Sequence, residues 1–155
     1  MSAEKAKAHL EKFGLSDRIK TLEQSSATVE LAAAALGCEP ARIAKSLTFN
    51  VNEKPVMIVT AGDVKIDNAK FKARFGVKAK MLSPEQVTEL IGHSVGGVCP
   101  FGINPEVSVY LDESLRRFER VFPAAGSGNT AVDLSLEELE KCSACEEWID
   151  VSKTI

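Results

Sequence analysis

Ile43-Ala44-Lys45-Ser46-Leu47-Thr48-Phe49-Asn50-Val51, Asn52-Glu53-Lys54-Pro55 and Val56-Met57-Ile58-Val59-Thr60 follow one another without a break, and their reading decides the fold. The first and third blocks are rich in β-branched and aromatic residues, and the middle one is a turn signal. The sequence therefore predicts two strands, Ile43 to Val51 and Val56 to Thr60, joined as a hairpin. Side chains alternate across a strand, so Ile43, Lys45, Leu47 and Phe49 share one face and Ala44, Ser46 and Thr48 the other. Lys45 thus stands in a row that is otherwise apolar. An ammonium in such a row needs a carboxylate, a cavity or an anionic ligand to offset its desolvation. Two readings stand: a lysine that snorkels to solvent near the strand end, or a cation held inside a pocket.

Outward from this hairpin the chain alternates short helices and short strands. On the N-terminal side the pattern predicts a helix from Ala3 to Phe13 closed by Gly14, a short strand from Arg18 to Glu23, and a helix capped by Thr28 that ends at Gly37. On the C-terminal side Asp67 caps a basic helix to Phe75, stopped by Gly76. Ser83-Pro84-Glu85-Gln86 joins a capping box to proline at the first helical position and predicts a helix to Ile91. Gly92 to Pro105 holds four glycines and two prolines and reads as loop. Val107 to Leu111 reads as a strand and Asp112 to Arg117 as a short helix. Arg120 to Ala125 and Ala131 to Leu134 are strands flanking Gly126-Ser127-Gly128-Asn129. A second capping box at Ser135 opens a helix to about Cys142, and Trp148 to Val151 is a further strand. Neighbouring strands lack helical crossovers. The expectation is one α/β domain of α+β type over residues 1–155, with a mixed, mostly antiparallel sheet of about six to seven strands flanked by short helices.

Length and composition agree. The 155 residues are 45% hydrophobic and 26% charged, ordinary values for a globular domain and outside those of disordered or fibrous chains. No apolar run approaches the roughly 20 residues of a membrane span, and the charged N-terminus lacks the apolar core of a secretory signal. A soluble, cytoplasmic protein without a membrane partner is expected. The net charge of −3 argues against non-specific coating of nucleic acid. Its distribution is uneven: six basic residues against one acid between Lys65 and Lys80, and seven acids against Lys141 between Asp133 and Asp150. That asymmetry allows a basic face on an acidic protein. Solvated helix faces of opposite sign are the plainer reading.

Four cysteines are too few and too scattered for a disulfide scaffold. Cys142-Ser-Ala-Cys145 is a lone pair with no partner set to complete a zinc site, and it follows a helix, where the dipole does not favour a thiolate. The loop Gly96-Gly97-Val98-Cys99-Pro100-Phe101-Gly102 can bring backbone N–H groups close to a substrate oxygen. Cys99 within it suggests a nucleophile, for which His93 is the nearest base in sequence, with no evident residue to orient it. Asp112 and Asp133 are candidate partners for Lys45. Ala124-Ala125-Gly126-Ser127-Gly128-Asn129 lacks the Gly-Lys-Ser/Thr of a phosphate-binding loop and reads either as a hairpin turn or as a pocket wall.

The Ile43–Phe49, Gly96–Gly102 and Gly126–Gly128 segments, followed by Asp133-Leu134-Ser135, occur in the order and spacing of a known family. Over nearly its whole length the chain resembles the YbaK/prolyl-tRNA-synthetase-associated domains, with the Thr28-Val29-Glu30 helix start and the Trp148-Ile149-Asp150-Val151 strand in agreement. The resemblance implies a compact domain around a curved mixed sheet. It also implies trans-editing, the hydrolysis of the ester between a wrong amino acid and the 3′ end of a tRNA. That amino acid would be a small one, such as Ala, Cys, Ser or Thr, on a non-cognate tRNA such as tRNA-Pro. No metal or organic cofactor is implied. The implied partners are aminoacyl-tRNA and a synthetase such as prolyl-tRNA synthetase. By the same resemblance Lys45, Gly96, Gly97 and Pro100 are the catalytic positions. Ser46, Val98, Cys99, Phe101, Gly126, Ser127 and Asp133 line the substrate pocket. The basic cluster around the Asp67-capped helix, namely Lys65, Lys70, Lys72 and Arg74, is expected to hold tRNA phosphates. Two rivals stand beside this reading: a tRNA- or synthetase-binding module of the same fold without activity, and a Schiff-base enzyme using Lys45.

Overall fold

The computed structural model describes residues 2–23 and 28–155. Its elements are α1 (Ser2–Glu11), β1 (Ile19–Thr21), α2 (Val29–Leu36), β2 (Ile43–Val51), β3 (Lys54–Ala61), β4 (Val64–Ile66), α3 (Asn68–Phe75), α4 (Pro84–Gln86), β5 (Ser108–Asp112), β6 (Arg120–Pro123), β7 (Thr130–Val132), β8 (Leu134–Ser135), α5 (Leu136–Ser143), β9 (Glu147–Ile149) and β10 (Ser152–Thr154). A six-stranded mixed sheet runs in the order β8-β6-β2-β3-β5-β9, and two small sheets pair β1 with β7 and β4 with β10. Antiparallel pairing joins β2 to β3 and β6 to β8, as well as both small sheets. The β2–β6, β3–β5 and β5–β9 pairs are parallel, because long crossovers separate them: β3 reaches β5 through α3, α4 and the following loop, and β5 reaches β9 through β6, β7, β8 and α5.

Local chemistry explains most boundaries. Thr28 caps α2 by accepting from the Leu31 N–H at 3.2 Å, and Gly37 closes that helix at φ 68°. Asp67 caps α3, accepting from Ala69 and Lys70, and Gly76 ends it in the left-handed region. Ser83 and Ser135 each form a reciprocal capping box. Asn52 and Glu53 both have positive φ, so the hairpin turn is two residues long and β3 begins at Lys54, earlier than the four-residue turn signal suggests. The helix expected to reach Ile91 is α4 continued by a single π turn over Val87–Ile91, which Gly92 terminates. The strand expected over Ala131 to Leu134 divides at Asp133 into β7, which pairs with β1, and β8, which pairs with β6.

Both faces of the central strands are buried. Met57, Val59 and Ala61 of β3 join Leu10 of α1, Phe101, Leu111 and Leu115 in the main core. Ile58 and Val56, on the other face, pack with Phe49, Phe71 and Val151. A third cluster sets Ala32 and Ala33 of α2 on Ile43. At roughly 25 cal/mol per Å² of apolar surface removed from water, this two-sided covering is the main stabilising term. Among the described residues no helix is long and apolar enough to cross a membrane.

Candidate functional site

β2, α2, the α4 region and the glycine-rich loop enclose a cavity of about 330 Å³. Its floor is the start of β2, where Ala44, Ser46 and Thr48 line it together with Ile43 and Lys45. Val29 and Ala32 of α2 close one side, Leu82, Val87, Val95 and Val98 another, and Phe122, Thr130 and Ala131 the third. The walls are mostly hydrocarbon with a few hydroxyls, the make-up of a site for a small organic group. Lys45 is its one titratable lining residue among those described.

Lys45 is half-buried, and its Nζ donates to the carbonyl of Val64, the first residue of β4. Burial holds its pKa below the ordinary lysine value, while the carboxylates of Asp63 and Glu30 act in the opposite sense. Asp63 is itself gripped at both oxygens by the Arg117 guanidinium, at 2.8 and 2.5 Å, and that fork keeps its carboxyl below the usual carboxylate range. Lys45 therefore neither snorkels free nor sits in a closed ion pair. It rests on a backbone carbonyl at the cavity wall.

The glycine loop meets the cavity through Gly96, at φ 98°, and Val98. Among the described residues neither N–H has a hydrogen-bond partner, whereas that of Gly97 is taken by the Ser94 carbonyl at 3.0 Å. Gly97 has a different role. A Cβ there would lie 2.5 Å from the backbone of Gly126 and Ser127, so only glycine lets the two loops touch. Ser127 Oγ lies 2.8 Å from the Oγ1 of Thr130, which does line the cavity.

Other expected site residues lie elsewhere. Cys99, Pro100 and Phe101 turn inward and are buried, with Cys99 and Phe101 in the main core. Cys99 Sγ approaches His93 Nε2 at 3.5 Å, but that nitrogen donates to the Phe101 carbonyl at 2.6 Å and cannot take the thiol proton. Burial pushes the Cys99 thiol up to about 12 and the His93 pKa down, so both are neutral, the opposite of an activated nucleophile pair. Asp133 is bound to Arg120 at 2.8 Å, away from the cavity. Asp112 is buried and accepts from Val151 N–H and Ser152 Oγ, which ties β5 to the start of β10. On α3, Lys70 is held by Asp150 at 3.0 Å and by the Ser152 carbonyl, and Arg74 is paired with Glu147 and stacked over Tyr110. Both cations thus face the β9–β10 edge, while Lys65 and Lys72 carry no such pair among the described residues. Of the Cys142–Cys145 pair, burial raises both thiols, Cys142 to about 12.

The contributions of α2 and of Met81, Leu82 and Val87 were not read from sequence, because apolar helix positions look alike whether they face a core or a cavity. The signal that existed was the run of small side chains, Ala44, Ser46 and Thr48, on one face of β2.

The site is an apolar cavity in an α+β fold, with one cation at its wall and a glycine loop beside it. The model of the aminoacyl-tRNA editing domain matches residues 23–142, and the chain belongs to that family. It is 48% identical over 154 residues to YwhH of Bacillus subtilis (strain 168), a protein of uncharacterised function, covering 99% of this chain and 98% of that one. It is 29% identical over 114 residues to the proline–tRNA ligase of Bacillus cereus (strain AH820), spanning 73% of this chain but 19% of the ligase. A crystal structure described as that of a proposed trans-editing enzyme for prolyl tRNA synthetase superposes with a TM-score of 0.88 at 29% identity, over 98% of this chain and 97% of that one.

Proposed function

We propose that residues 1–155 form a trans-editing hydrolase that removes a small, wrongly attached amino acid (alanine, cysteine, serine or threonine) from a non-cognate tRNA such as that for proline. Water adds to the ester carbonyl carbon, the bond to the ribose oxygen breaks, and the proton from water ends on that oxygen. The products are free amino acid and uncharged tRNA. A second hydrolytic sieve is chemically sensible, because an apolar synthetase pocket separates amino acids differing by one methylene only about 10- to 200-fold.

The observation that carries this reading is the apolar cavity with Lys45 at its wall and the unpartnered N–H groups of Gly96 and Val98 beside it. In it, Lys45 donates hydrogen bonds to the terminal adenosine or to the acyl oxygen, and the two N–H groups polarise the ester carbonyl. No carboxylate, histidine or thiol lines the cavity among the described residues, so catalysis rests on positioning, with the proton carried by water or a substrate hydroxyl. The membership in an editing-domain family supports the same activity, a cytoplasmic setting, and association with tRNA or a synthetase.

The test is release of labelled amino acid from a panel of mischarged tRNAs, with alanine, cysteine, serine and threonine on non-cognate acceptors. Turnover above the uncatalysed rate on at least one of them supports the reading. Tight binding of all four without turnover would replace it by the non-catalytic module. A product trapped on Lys45 by borohydride would replace it by Schiff-base chemistry.

A further inference from the structure

We infer that the acceptor-end phosphates of the RNA are held by Lys65 of β4 and Lys153 of β10, a pair of lysines that the strand register places directly opposite each other. This rests on the editing reading above and moves the RNA contact off the α3 helix. In the antiparallel β4–β10 pair Lys153 faces Lys65, with Ser152 facing Ile66 and Thr154 facing Val64. Both lysines are exposed, and neither makes a hydrogen bond or ion pair with another described residue.

Like charges directly opposite in a sheet destabilise the pairing, so the local fold gains nothing from them. Of the neighbouring cations of α3, Lys70 and Arg74 are paired with Asp150 and Glu147, and Lys72 alone carries no such pair among the described residues. Asp67 acts on Lys153 through charge alone, its carboxylate being hydrogen-bonded to the Ala69 and Lys70 N–H groups as the α3 cap. A pair of exposed ammonium groups held in no ion pair or hydrogen bond is what a phosphate chain requires.

Position supplies the second argument. The residue before Lys65 is Val64, whose carbonyl receives Lys45 Nζ at the cavity wall. A strand whose terminal ester sits in the cavity and leaves past Lys45 therefore meets the Lys65–Lys153 pair within one residue of β4.

The experiment uses the full chain and a fluorescent RNA minihelix ending in single-stranded ACCA, with Kd followed across a KCl titration. Lys65→Glu should weaken binding about tenfold at low salt, and the double variant Lys65→Glu/Lys153→Glu should lower the slope of log Kd against log salt by about 1.4, two contacts of roughly 0.7 each. The single variant also converts a repulsive cross-strand pair into an attractive one, so its Tm should rise by about 2 °C while its affinity falls. A merely structural role for Lys65 would not separate these two readouts. Lys7→Glu on α1 together with Lys12→Glu in the turn after it, with the same change in charge, should leave the slope unchanged. Hydrolysis of a minimal aminoacyl-adenosine should proceed at the unaltered rate in every variant. Salt-dependent binding by the parent chain that both β4–β10 variants retain would overturn this assignment and leave the editing reading standing. Absence of deacylation by the parent chain would overturn the editing reading instead. Loss of aminoacyl-adenosine hydrolysis in the double variant would place the lysines in the cavity's own machinery and overturn the surface assignment.

Discussion

The front and the back of the glycine loop are built from opposite chemistry. In front, at the cavity, stand a half-buried ammonium and unpartnered backbone N–H groups, with no thiol, imidazole or carboxylate lining it among the described residues. Behind it, sealed from solvent, lie Cys99 and His93, the two residues that look most reactive on paper. The back pair is neutral and occupied with the Phe101 carbonyl, so it fastens the loop and does no chemistry. A buried thiol and imidazole near each other are thus no evidence of a nucleophile, and accessibility and charge state decide the matter.

The strongest way to break this contrast is Lys45→Ala. If the front carries the activity, turnover should fall by about 10²- to 10³-fold, the loss typical of one well-aimed electrostatic contact. The far-ultraviolet circular dichroism should stay as in the parent, because a desolvated cation is removed and only the Val64 carbonyl loses a partner. Near-parental turnover would transfer the chemistry elsewhere.

Next in size is Gly97→Val, which tests whether front and back are joined through loop contact. The new side chain would collide with the Gly126–Ser127 backbone, which cannot rotate away. A stability loss of about 3 kcal/mol is expected, seen as a Tm lower by about 10 °C. A variant as stable as the parent would show that the two loops part without cost.

The smallest effect sharpens the comparison from behind. Cys99→Ala should keep turnover within about twofold of the parent and cost about 1 kcal/mol of stability through the small cavity it leaves. In the folded parent, Cys99 should resist iodoacetamide, while the half-buried Cys38 and Cys145 react first, as read by mass spectrometry. The companion measurement is stability against pH. His93 has a folded pKa below its unfolded value of 6.5, so just below that pH the unfolded chain binds more protons than the folded one. Its stabilising contribution is present above pH 6.5 and is lost as the pH falls through the folded pKa. His93→Gln should remove that part of the slope, and an unchanged slope would show that His93 is not the group responsible.

Much of this was legible in the residues because the signals were local. The caps at Thr28, Asp67, Ser83 and Ser135 fixed four helix starts, and the apolar row around Lys45 pointed to a half-buried cation. What sequence did not show was long-range. Strand β10 is Ser-Lys-Thr, with no apolar alternation, and it exists because β4 offers an edge and Asp112 holds its first residue. That Lys70 and Arg74 are neutralised depends on partners about 80 residues away in the chain, which α3 alone cannot announce. The direction of the Cys99 side chain is set by the packing of loop on loop, and periodicity has nothing to say about a loop.

The β4–β10 pairing has one more consequence, for the order in which the molecule is made. The carbonyl that holds Lys45 belongs to β4, whose hydrogen-bonded neighbour in its sheet among the described residues, β10, is far downstream. β2 and β3 can pair as a hairpin while the chain is still being synthesised, but the cavity wall cannot settle until residues 152–154 have emerged from the ribosome. A nascent chain would therefore hold the folded β2–β3 hairpin well before it holds the β4–β10 pair that carries the carbonyl bound by Lys45.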